Sequence, residues 1–206
     1  MTLPPHPRML APAAAVPGQR LPPDAVDELI SAELGSSTPR VGELCELLEH
    51  GSSAPRFGDL DAVRASDEVF PDLAHRGKLG IALRIARDRL RPGGLVVAAV
   101  PELANLRRLR PASTPPKVVG TGADREVTVQ LWDWAPDGHT YTLELVKMRR
   151  AGQQWETATV ARATHRVLSE REVFDALSQA GFVDVDRLPA GSAKYPLPLW
   201  VANAPG

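Results

Sequence analysis

Cysteine is nearly absent, with Cys45 alone among 206 residues. One thiol excludes an intramolecular disulfide and a cysteine-based zinc site, and it fits a reducing, cytoplasmic compartment. An excess of either charge is lacking too. Lys and Arg number 24 against 25 Asp and Glu, a net charge of -1, so nothing draws the whole chain to nucleic acid or to an anionic membrane. No apolar run approaches the roughly 18 residues of a membrane-spanning helix. The histidines (His6, His50, His75, His139, His165) never fall at His-x-x-x-His spacing and have no cysteine companions, which leaves no metal-binding pattern. There is no Gly-x-Ser-x-Gly, and Cys45 falls in an apolar helical stripe, so no catalytic nucleophile stands out.

What is present suffices for a core. Hydrophobic residues make up 43% of the chain, and its length predicts one domain with an appended arm. The abundance of Ala, Arg, Pro, Gly and Val suggests a GC-rich bacterial genome. Residues 1–23 carry prolines at 4, 5, 7, 12, 17, 22 and 23, which predicts an extended or disordered arm and argues against a signal peptide. Residues 24–56 read as a helical segment. Its first helix, over 25–34, has Val26, Leu29, Ile30 and Leu34 on one face and Gly35 beyond its end. Its second is expected after Thr38-Pro39, with Val41, Leu44, Cys45, Leu47 and Leu48 as its stripe.

The remainder, 57–206, is organised around His75 to Pro101. Leu79, Leu83, Ala86 and Leu90 recur at helical spacing, while Arg84, Arg87, Asp88 and Arg91 fall on the opposite side. Pro92-Gly93-Gly94 then breaks the helix, and Leu95 to Val100 reads as a strand covered on both faces. Further on, Glu126 to Trp134, Thr140 to Met148 and Gln154 to Leu168 alternate apolar with polar, separated by Pro136-Asp137-Gly138 and Ala151-Gly152-Gln153. They predict an antiparallel β-meander, inserted at about 118–168. Val118-Val119-Gly120-Thr121-Gly122 imitates the entry to a glycine loop, but the alternation of Val127, Val129 and Leu131 predicts a hairpin there. Ser169 with Glu172 forms a capping box that opens a helix through Ala180, and strands are expected at Phe182 to Val185 and Leu199 to Ala202.

Leu-Arg-Pro-Gly-Gly between an amphipathic helix and a Val-rich strand resembles the fourth helix and fifth strand of class I S-adenosylmethionine-dependent methyltransferases. Phe57 to Ala65 stands where that family has its fourth strand, and Asp67-Glu68-Val69-Phe70 where the chain leaves it. Ser169 to Trp200, through Ala180-Gly181-Phe182, resembles the family's last helix and closing strand pair. The likeness covers about residues 57 to 204. It implies an α/β fold: a truncated Rossmann-like methyltransferase sheet with an inserted meander and two N-terminal helices. In the family the first strand, the glycine-rich loop and the ribose-binding acid come earlier. Three strand-helix units need about 60 residues, and the handful before Phe57 cannot supply them. No catalytic or cofactor-binding residue is therefore assigned, and the fourth strand is expected to be an exposed sheet edge.

Candidate substrate- or partner-binding residues are Asp67 and Glu68, at the carboxyl end of a parallel strand where open α/β sheets hold ligands, and Trp132, Trp134, His139, Tyr141 and Trp155 of the meander. Trp132 and Trp134 share one strand face, as an aromatic wall for a flat substrate, a partner hot spot, or ordinary packing. A loop acid and a solvated face are the plainer readings of Asp67-Glu68 and of Arg107, Arg108 and Arg110. The expectation is a non-catalytic methyltransferase-like subunit that binds no cofactor alone. It would pair with a complete methyltransferase, or with itself as a homodimer, and stabilise that enzyme or complete its small-molecule pocket. The alternative is an active small-molecule methyltransferase with a shared or atypical S-adenosylmethionine site.

Overall fold

The computed structural model describes residues 24–49, 58–66, 68–103 and 106–206. The proline-rich arm, Phe57 and Asp67 lie outside these. Five strands form the main sheet in the order β1-β2-β3-β9-β8: β1 Val41–Glu43, β2 Leu60–Ala65, β3 Leu90–Ala99, β9 Leu199–Asn203 and β8 Val183–Leu188. β1, β2 and β3 are parallel, and β9 runs antiparallel to both β3 and β8. A second, antiparallel sheet follows the order β4-β5-β6-β7, with β4 Lys117–Val119, β5 Glu126–Trp134, β6 Thr140–Ala151 and β7 Gln154–Arg166. Helices are α1 Asp24–Leu34, α2 Leu44–Glu49, α3 Val69–His75, α4 Leu79–Arg89, α5 Leu106–Leu109 and α6 Glu170–Gln179.

The expected second helix forms as α2, with Leu44, Cys45, Leu47 and Leu48, but β1 takes Val41 from its start. Val41 shares helical spacing with Leu44, Cys45 and Leu48, but Val41, Gly42 and Glu43 pair with Ala62, Val63 and Arg64. A three-residue strand shows no period of its own, so its partner decides its state. β2 is therefore not an edge: β1 lies beside it and is itself very short. The sheet faces are also covered. Phe70, Leu73, Leu83 and Leu177, from α3, α4 and α6, are buried with Val63, Val96 and Trp200 on one side. Ile30 of α1 is buried with Ala62, Leu95 and Val97 on the other.

The Leu-Arg-Pro-Gly-Gly break proves to be a bulge inside β3 rather than a turn before it. Leu90 pairs with Leu60 and Leu95 with Ala62, so Arg91 to Gly94 loop out between the two pairs. A Cβ on Gly94 would meet the Arg91 carbonyl at 2.9 Å and the Asp61 carbonyl at 3.1 Å, which is why a glycine stands there. Asp61 ties this region together. Its carboxylate accepts the Arg40 backbone N–H at 2.8 Å and the Arg91 guanidinium at 2.7 Å. Those two bonds outweigh burial and hold its pKa at about 2. Asp61→Asn is expected to lose about 2 kcal/mol in urea denaturation at neutral pH, because hydrogen bonds to a charged group are lost and Arg91 is left unpaired. An unchanged denaturation midpoint would show that these bonds do not join the amino ends of the strands.

The capping box forms as the sequence predicts. Ser169 Oγ accepts the Glu172 N–H at 3.3 Å, and the Glu172 carboxylate accepts the Ser169 N–H at 2.9 Å. Burial alone would raise the Glu172 pKa, but Ser169 and Arg166 outweigh it and hold it below its ordinary value. Val118 pairs with Val127, which makes the glycine-containing stretch after β4 a hairpin.

Candidate functional site

Parallel α/β sheets hold ligands beyond the carboxyl ends of their strands, so that edge of β1, β2 and β3 comes first. β1 passes directly from Glu43 into α2 at Leu44, which is fully buried. Glu43 is engaged by the Arg64 guanidinium, which reaches Asp27 of α1 at 2.8 Å with its other arm. Burial opposes the Arg64 charge, yet these two carboxylates raise its pKa above the ordinary value. A Cβ on Gly42 would meet Leu60 Cδ1 at 2.7 Å, so the room this glycine opens is filled by a side chain of β2. Beyond β2, Glu68 stands half-buried at the start of α3, and its carbonyl accepts the Asp72 N–H at 3.0 Å. Asp67, the other acid expected here, lies outside the described residues.

The meander brings three of the expected aromatic residues together and leaves two other candidates out. Trp134, Tyr141 and His165 form one rung across β5, β6 and β7. Ring centroids lie 5.4 Å apart for Trp134 and Tyr141, 5.2 Å for Tyr141 and His165, and 5.3 Å for Trp132 and Tyr141. Trp132, Tyr141 and His165 are buried, with Leu103, Leu143 and Val167 packed around Trp132 and Tyr141. Trp134 donates its indole N–H to the Pro111 carbonyl at 2.9 Å. Trp132 Nε1 and His165 Nδ1 have no hydrogen-bond partner among the described residues. The aromatic wall is thus a packed stack that seats the second sheet on the connection leaving β3.

His165 was singled out by no spacing in the sequence, yet its imidazole completes the stack beside Tyr141. Burial, with a smaller push from His75 of α3, lowers its pKa to about 4. Trp155 stands apart, 46% exposed and opposite Arg150 near the far hairpin. His139 is exposed on the β5–β6 turn, its Nε2 2.9 Å from Arg107 Nη2. Arg107 also donates to the Asp137 carbonyl at 3.1 Å and Arg110 to the Pro136 carbonyl at 2.6 Å. The basic cluster is thus a largely solvated face, as expected, with Arg107 and Arg110 also holding this turn.

Other chemistry is sparse. Burial pushes the Cys45 thiol up, away from a reactive thiolate. Among the described residues no three His, Cys, Asp or Glu side chains are grouped as metal ligands, and no helix is long and apolar enough to cross a membrane. One cavity of about 280 Å³ opens at the end of β3, lined by Pro101, Glu102, Glu170, Arg187 and Trp200 among others.

No protein-family model and no curated protein matches the sequence. Solved structures do match the fold. DesVI of Streptomyces venezuelae superposes with a TM-score of 0.66 at 15% identity, covering 89% of this chain and 90% of that one. CalS10, a SAM-bound amino pentose methyltransferase from Micromonospora echinaspora, gives 0.65 at 14%, covering 88% and 90%. The sugar N-methyltransferase KedS8 from Streptoalloteichus gives 0.63 at 14%, covering 89% and 86%. The chain therefore has a methyltransferase-like α/β fold with a mixed sheet. The likeness extends beyond residues 57 to 204, over most of the chain.

Proposed function

We propose that this chain is a methyltransferase-like subunit that does not hold a methyl donor alone. It associates with a complete S-adenosylmethionine-dependent methyltransferase, stabilising that enzyme or completing its small-molecule pocket. One observation carries this reading: β1 enters α2 with no intervening loop, and the strand's carboxyl end is taken by the Glu43, Arg64 and Asp27 ion pairs. S-adenosylmethionine, the group this fold implies, needs glycine backbone approached closely at that point. Gly42 is packed against Leu60 rather than open to a ligand, and Glu43, the strand's last residue, is neutralised by Arg64, so these described residues do not fit it.

Association is supported by the outer face of the second sheet. Val118, Leu131 and Val160 are 57%, 40% and 56% exposed, and the rows Val127–Met148 and Val129–Val146–Val160 run between them. Asp133 and Arg162 flank this apolar surface as an exposed pair. Apolar surface gathered on one face, rimmed by charge, marks a protein interaction site, for another subunit or for a second copy of this chain.

The alternative, an active small-molecule methyltransferase with a shared or atypical donor site, is favoured by coverage of about nine-tenths of the CalS10 and DesVI chains. Calorimetry separates the two. The isolated chain is expected to give no heat with S-adenosylmethionine, and to co-elute with a full-length methyltransferase of its host on size-exclusion chromatography. Micromolar binding by the chain alone would overturn the proposal in favour of the alternative.

A further inference from the structure

We propose that the cavity between the connection leaving β3 and the N-terminus of α6 binds a small organic ammonium ion. This holds whether or not the chain binds a methyl donor, because the cavity shares no residue with the carboxyl end of β1. At about 280 Å³ it is just smaller than the roughly 300–1,000 Å³ usual for small-molecule sites, which limits it to a small ligand. Val100, Pro101, Leu168, Val173, Pro198 and Trp200 make its walls apolar. Trp200 lies between Ala98 and Arg187 across the strands, which places an aromatic side chain beside the charged rim. A ligand with a hydrocarbon body gains contact area there.

The rim decides the charge of that ligand. Arg187 Nη2 donates to Glu102 Oε1 at 2.8 Å and lies 3.3 Å from Glu170 Oε1. One guanidinium nitrogen thus serves two carboxylates, and the three side chains together carry one uncompensated negative charge. Two features that would otherwise attract an anion are already used. The α6 N-terminus is closed by the reciprocal bonds of Ser169 and Glu172, and Arg187 is committed to its acids. A second cation is what the arrangement lacks. An ammonium donating to Glu102 and Glu170 from inside the cavity supplies it, with its body against Trp200 and the two prolines.

The rim carboxylates are partly exposed, so the affinity expected is about millimolar. Cyclohexylammonium, cyclohexanol and cyclohexanecarboxylate share one ring and differ in charge. Titrated into the full chain at low salt and neutral pH, and followed by saturation-transfer NMR, the amine is expected to bind about tenfold more tightly than the alcohol, and the carboxylate most weakly. Glu170→Gln should weaken the amine severalfold. Arg187→Met should strengthen it, because both carboxylates then face the ligand unneutralised. Equal binding of amine and alcohol overturns the proposal, as does carboxylate binding that Arg187→Met abolishes, or no binding below about 50 mM. Should Arg187→Met fail to fold by circular dichroism, Glu102→Gln and Glu170→Gln decide: unchanged amine affinity in both refutes the site.

Discussion

Trp132→Ala is expected to lose about 4 kcal/mol of stability, because large-to-small changes of buried aromatic residues forfeit both transfer energy and packing. Trp132 is 3% exposed and touches the stack on two sides, with ring centroids 5.7 Å from Trp134 and 5.3 Å from Tyr141. It also packs with Leu103, two residues beyond Pro101 on the connection from β3. The cavity left would lie where the second sheet rests on the connection leaving β3, so near-ultraviolet circular dichroism should lose intensity before helical signal is lost. Trp155→Ala is the control. That side chain is half exposed and outside the stack, and its removal should change stability by no more than about 0.5 kcal/mol. Equal unfolding midpoints for the two variants would mean that the stack does not anchor the second sheet to that connection.

Acid is expected to destabilise the chain in a window set by His165. Unfolded, its imidazole titrates near 6.5; folded, burial holds it at about 4. Between those values the unfolded chain binds a proton that the folded chain refuses. Stability is therefore full at neutral pH, falls as the pH drops below about 6.5, and levels near pH 4 with a loss of about 3 kcal/mol. Asp61 acts in the opposite sense in charge but the same sense in pH, since its stabilising bonds are lost only as the pH falls from its ordinary range toward about 2. The two windows are separable. Urea midpoints measured at pH 7, 5.5 and 4 should fall steadily in the parent, and His165→Gln should flatten that slope while Asp61→Asn leaves it in place. A parent equally stable across the range would refute the buried, neutral imidazole.

Local rules carried much of the fold. The helix over Leu79–Arg89, the capped helix after Ser169 and the strands flanking Pro136-Asp137-Gly138 each rest on side chains within a few residues of one another, so their patterns survive in one dimension. The Trp132 and Trp134 pair was readable for the same reason, as strand alternation alone puts both on one face. β1 was not readable, because Val41–Glu43 is a strand only by virtue of Ala62–Arg64 alongside it. Nor were the ion pairs of Arg64, whose partners Glu43 and Asp27 come from distant parts of the chain.

The sequence by itself determined an α/β chain with an aromatic meander after its central parallel strand. Only the tertiary structure decided which residues complete the stack, and the reason is a single bulge. Counted back from the Ala151–Gln154 hairpin, Tyr141 would face Thr164, with His165 turned to the opposite side. One extra residue in β7 opposite the step from Lys147 to Met148 moves the register on, and His165 meets Tyr141 instead. Side-chain period in a strand is two, so that one-residue slip takes an imidazole from water and buries it against a tyrosine ring.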